Sequence, residues 1–189
     1  MKTSANVMGV IFGATMILLS LAVTVETVLR KFFAHSMAGI DELGGYAIAI
    51  CAPLCFAVAL IERSHIRINL LHMRLSRPVQ ATLNALAALS MGVLAAYLLY
   101  FTVKTVIDTQ TYKSIAQTPW ATPLIYPQAV WLAAMAVFAA VALLLAARAL
   151  ILFAGGNWVV LNRQFGPPSA QEELEAELED LKKREGAAQ

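Results

Sequence analysis

The chain has 189 residues, 59% of them apolar and 14% charged, with a mean hydropathy of +0.68. Soluble domains average about 45–50% apolar and ~25% charged residues, so this composition excludes an ordinary soluble protein and points to a membrane protein. The net charge of +2 is too small to argue for nucleic acid, which needs a clustered excess of Lys and Arg.

Four apolar windows predict an all-α integral membrane protein with transmembrane helices at about 7–29, 43–61, 79–103 and 127–153. At 1.5 Å per residue the uninterrupted stretches span roughly 28–38 Å, against ~30 Å of hydrocarbon. Residues 1–154 then form the transmembrane domain, and 155–189 a polar cytoplasmic tail. The first segment reads as a retained helix: it exceeds the ~7–15 residues of a signal-peptide core, no small-x-small site follows, and Glu26 and Arg30 stand where cleavage would fall. Counting Lys and Arg near the helix ends gives Arg30 and Lys31 in the first loop, Arg63, Arg67, Arg74 and Arg77 in the second, and Lys104 and Lys113 in the third. With Lys2, Arg148 and Arg163 flanking the termini, the second loop and both termini are expected on the cytoplasmic side.

In chain order, helix one ends with Glu26 and Arg30 at i,i+4, the favoured order for a helical ion pair. Phe32 and Phe33 then reach headgroup depth, and Asp41 and Glu42 open helix two, where acids complement the helix dipole. Helix two holds Pro53, which can free a carbonyl for a neighbour, and Cys51 and Cys55, whose i,i+4 spacing reads as small core residues rather than a redox pair. Helices three and four are rich in Ala, among them Ala81, Ala85, Ala95, Ala134, Ala139, Ala142 and Ala146. Small side chains let backbones approach closely, so a bundle is expected, docked on further helices.

The second loop, IERSHIRINLLHMRLSRP at 61–78, is the least typical stretch. Charge counting makes it a positive cytoplasmic anchor that anionic headgroups favour; a single helix, in which Arg63, Arg67, Arg74 and Arg77 share an arc of roughly 80°, is one shape it can take. The third loop, TPWATPLIYP at 118–127, carries Pro119, Pro123 and Pro127 at four-residue spacing. It reads as a fixed-shape extracytoplasmic loop that resists regular helix before 127, with Trp120, Tyr126 and Trp131 at the outer interface. Gly155, Gly156, Pro167 and Pro168 punctuate the tail. Ser169 and Glu172 then have capping-box spacing for a short helix over 169–185 with Leu174, Leu178 and Leu181 on one stripe; it is either a docking tail or a fraying, solvated end.

Candidate chemistry is sparse. His35, His65 and His72 all fall in loops, whereas haem held by a bundle needs histidines on facing helices, and two histidines without a matched acid make a weak metal site. No phosphate loop, nucleophile elbow or paired catalytic carboxylate occurs, so no enzyme is expected. No catalytic, cofactor or metal residue is assigned. A self-contained carrier or channel would need mid-membrane charges and a redox protein helix-borne ligands, so both are lesser alternatives.

The order of features resembles the small, Q-type, four-helix membrane subunit of tripartite ATP-independent periplasmic (TRAP) transporters. The resemblance covers roughly residues 8–152 and rests on Arg30 and Phe33 after helix one and on Asp41, Glu42 and Leu43 opening helix two. It rests also on HIRINLL at 65–71, with His65, Ile66, Arg67 and Asn69, and on the loop with Thr118, Pro119, Pro123 and Pro127. Asn69 stands where the family usually has Asp, and Cys55 and Phe56 replace a Gly-Ala step. The resemblance implies a scaffold role in the bacterial inner membrane. A large subunit would hold the sodium and substrate sites, and an extracytoplasmic solute-binding protein would deliver an organic acid. No cofactor is implied in this chain, sodium ions being expected in the large subunit; membrane lipids are the remaining partner. Two readings stay open for Arg30 with Asp41 or Glu42, a clamp between helices one and two or merely solvated and capping charges; the proline loop is a partner surface or a rigid turn.

Overall fold

The computed structural model describes residues 2–37, 39–62 and 74–167, together with 174, 178 and 181. Among the described residues five helices are delimited, α1 Lys2–Phe33, α2 Ile40–Glu62, α3 Arg77–Tyr112, α4 Ile125–Ala154 and α5 Trp158–Phe165. Among the described residues, four helices are long and apolar enough to cross a membrane: Phe12–Phe33 within α1, and the whole of α2, α3 and α4. The expected all-α membrane architecture is therefore observed.

The chain divides into two units, residues 1–64 with 91–145, and residues 65–90 with 146–189. In the first, α1 packs along α2, with Leu19 against the bare backbone of Gly44. The core gathers Ala57 of α2, Ala95 of α3, and Met135, Phe138, Ala139 and Ala142 of α4, with Leu60, Met91, Leu99, Trp131 and Val141 around it. Ala95 and Ala139 are fully buried, as expected where alanines let helices close on one another. Phe56 of α2 meets Phe138 of α4 with ring centroids 6.1 Å apart. Large apolar side chains elsewhere, such as Ile17, Leu18 and Leu144, point outward, as they do in a protein whose solvent is lipid. Cys51 and Cys55 are free thiols, each half-buried.

The helices outrun the apolar windows. Helix α3 continues nine residues past the expected end at 103 to Tyr112, because hydropathy marks only the part that fits the hydrocarbon. Its polar extension stays helical, with the Thr105 and Thr111 hydroxyls donating to the carbonyls of Phe101 and Ile107 at 2.9 Å each. Lys113, at φ 50°, ends it. Helix α4 starts at Ile125 rather than 127. Pro127 lies in its first turn, where no helical N–H is required.

The second unit holds a helix within 155–189 besides the one expected over 169–185. Helix α4 stops in a Schellman motif: Gly156 takes φ +69°, Asn157 N donates to Leu152 O at 3.0 Å and Gly156 N to Phe153 O at 3.1 Å. The glycines therefore turn the chain into a further helix, α5, which buries Leu161 and Phe165. Asn84 Nδ2 of α3 donates to Asn162 Oδ1 at 3.0 Å, and Asn162 Nδ2 donates to the Arg77 carbonyl at 3.0 Å. The sequence WVVLNRQF is too short and mixed to stand out by periodicity. Of the helix expected over 169–185, only Leu174, Leu178 and Leu181 are described, each helical and exposed.

Candidate functional site

Polar chemistry in the first unit concentrates where the α1–α2 loop, residues 34–39, meets the α3–α4 loop, residues 113–124. Two glutamates organise it, and both are buried, Glu26 to 6% exposure and Glu42 to 7%.

Glu26 sits two turns before the end of α1. Ala34, at φ 50°, ends the helix and sends the chain back along it. Ser36 Oγ then donates to Glu26 Oε1 at 2.6 Å and the Met37 N–H to Oε2 at 2.5 Å. Both carboxylate oxygens are thus engaged by the loop, and Arg30, exposed one turn on, adds a weaker coulombic attraction behind these hydrogen bonds. A carboxylate can only accept, so donors converging on both oxygens are what make its burial tolerable.

Glu42 lies in the first turn of α2, where the sequence suggested a capping acid. The Tyr46 hydroxyl, one turn on, donates to Oε1 at 2.6 Å, and the Thr118 hydroxyl donates to Oε2. Thr122 is a further hydrogen-bonding neighbour. Glu42 therefore ties the start of α2 to a loop 76 residues away in the chain. The proline loop that supplies Thr118 is itself closed by an antiparallel bridge between Ile115 and Pro123. Ala116 N donates to Thr122 O at 2.8 Å and Leu124 N to Ser114 O at 3.1 Å.

A second contact reaches the same proline loop without charge. Gly39 has φ +96°, and a Cβ there would overlap the six-membered ring of Trp120. Only glycine combines that backbone angle with so close an indole.

Of the residues singled out from sequence, the structure joins Glu42 to Thr118. Pro119 and Pro123 are exposed in the same loop, and Pro127 is partly buried. Arg30, Phe33 and Asp41 are exposed, so neither acid at the start of α2 clamps Arg30 among the described contacts. Arg74 and Arg77 are exposed, while Arg63, His65, Ile66, Arg67 and Asn69 lie outside the described residues. Glu26 with Ser36, Tyr46, and Gly39 with Trp120 went unassigned. The i,i+4 spacing of Glu42 and Tyr46 was a usable signal, whereas pairs between separate loops leave none in one sequence. Among the described residues no group of three His, Cys, Asp or Glu is arranged to hold a metal ion.

Four apolar helices capped by a hydrogen-bonded knot of loops, whose acids are spent on structural donors, define a multi-pass helical membrane protein. The chain belongs to the family of tripartite ATP-independent periplasmic transporters, DctQ component, whose model matches residues 19–152. It is thus a small membrane component of a transporter built from several subunits. Comparison with curated proteins gave no match, and comparison with solved structures gave none either.

Proposed function

We propose that this chain is the scaffold subunit of a secondary transporter for organic acids in the bacterial inner membrane, with both termini cytoplasmic. It supports a large sodium-coupled subunit that carries the substrate and sodium sites, and its loop knot helps dock the extracytoplasmic solute-binding protein. The family match carries the reading. The knot supports it physically, because buried acids saturated by hydroxyl and amide donors hold a shape rather than relay protons or ions. A rigid surface loses less conformational entropy when a partner binds.

The test is to express the tagged chain with its neighbours in the native membrane, solubilise it in several mild detergents and identify what co-purifies. A large polytopic subunit is expected in each. Its absence throughout, or transport by this chain reconstituted alone, would overturn the scaffold reading.

A further inference from the structure

A recess of about 220 Å³ lies between α2 and the start of α4, lined by Tyr46, Ala49, Leu124, Pro127, Gln128 and Trp131. Four of these residues, 124, 127, 128 and 131, are spaced i, i+3, i+4 and i+7. That is the diamond on a helix surface that receives one knob side chain from a facing helix. Gln128 N donates to Leu124 O at 3.1 Å, so the diamond has helical geometry from its first member. Tyr46 and Ala49 of α2, three apart, form the other wall, and the Tyr46 ring is held in place through its hydroxyl on Glu42.

A polar feature accompanies this apolar recess. The Gln128 Oε1 is buried and, among the described residues, accepts no hydrogen bond. An unsatisfied buried amide oxygen costs about 1–3 kcal/mol in general, and an acyl chain cannot relieve it. A polar group on a neighbouring helix can.

We infer that this recess seats a transmembrane helix of the large subunit, which inserts one apolar side chain as a knob and supplies a hydrogen bond to Gln128. The inference rests on the scaffold reading above and names the part of this chain that makes the contact. A helical partner fits better than lipid because the four-residue diamond matches a knob and the unpaired Gln128 Oε1 calls for a directed donor.

The experiment uses the full chain co-expressed with the large subunit. A photoreactive p-benzoylphenylalanine replaces Leu124 at the mouth of the recess, and in a separate variant Gln128→Leu removes the amide. Illumination should join position 124 to the large subunit. Q128L should lower the large subunit recovered per small subunit about three- to ten-fold, the range for one interhelical hydrogen bond in a membrane, whereas the exposed Gln110→Leu leaves recovery unchanged. An adduct only with lipid or with a second copy of this chain, while the large subunit still co-purifies, overturns the recess as its seat and leaves the scaffold reading standing. Unchanged recovery for Q128L removes the hydrogen bond from the proposal and overturns it in that form. Failure of the large subunit to co-purify with the wild type overturns both.

Discussion

The loop knot of the first unit and the α5 turn of the second solve one problem with different chemistry. Each ties together segments far apart in sequence, 76 residues for Glu42 and Thr118 and 78 for Asn84 and Asn162. The knot uses carboxylates, which can only accept and therefore gather two or more donors each. The second unit uses an amide pair, in which Asn162 both accepts from Asn84 and donates to the Arg77 carbonyl. A carboxylate hub brings several loops to one point; an amide pair links two elements. The hub is accordingly found where two loops must hold a common surface, and the pair where one short helix must return to another.

The largest effect is expected at the glycines that open each turn. Gly39→Ala meets both the Trp120 ring and an unfavourable φ of +96°, whereas Gly156→Ala meets only its φ of +69° with open space around the Cβ. A left-handed backbone costs an L-residue roughly 1–2 kcal/mol, so G156A should lose about that much. G39A should lose more, by the cost of displacing the indole. Thermal midpoints of the two purified variants in one detergent measure the difference, and equal shifts would show that Trp120 yields freely.

Next comes the hub itself. Glu42→Ala strips the acceptor from the Tyr46 and Thr118 hydroxyls at once, while Thr118→Val removes a single donor. E42A should lower the thermal midpoint more than T118V, and the double variant should be little worse than E42A alone, because residues sharing one network are not additive. Additive shifts would mean that Glu42 and Thr118 stabilise the fold independently, and the loop tie would be lost as an explanation.

How much of this was legible in the sequence follows from the range of each signal. Hydropathy runs over some twenty residues, so the four spanning segments were plain, yet it stops at the hydrocarbon edge and missed the polar end of α3 after Val103. Glycine and proline punctuation marked residues 155–168, and Gly156 turns the chain there into α5, a helix that punctuation alone does not announce. Asp41 and Glu42 stood out as a pair; Tyr46, one turn after Glu42, is the local signal that separates them, while the other partner, Thr118, lies across the chain. Glu26 and Arg30 had ideal helical spacing, and the loop donors Ser36 and Met37 took the carboxylate instead. Spacing proposes partners within one helix, and it is blind to a loop that folds back.

The most local effect is expected in the amide pair. Asn162→Ala deletes one hydrogen bond from Asn84 and one to the Arg77 carbonyl, each of a kind worth about 0.5–1.5 kcal/mol net. Leu161 and Phe165 remain to hold α5 by apolar burial, so N162A should loosen this helix without unfolding the chain. Amide hydrogen exchange over 158–165 should rise, while exchange in the loops at 34–39 and 113–124 stays at the wild-type level. Faster exchange in those loops as well would show that the two ties are energetically coupled, and the contrast between hub and pair would then describe chemistry only.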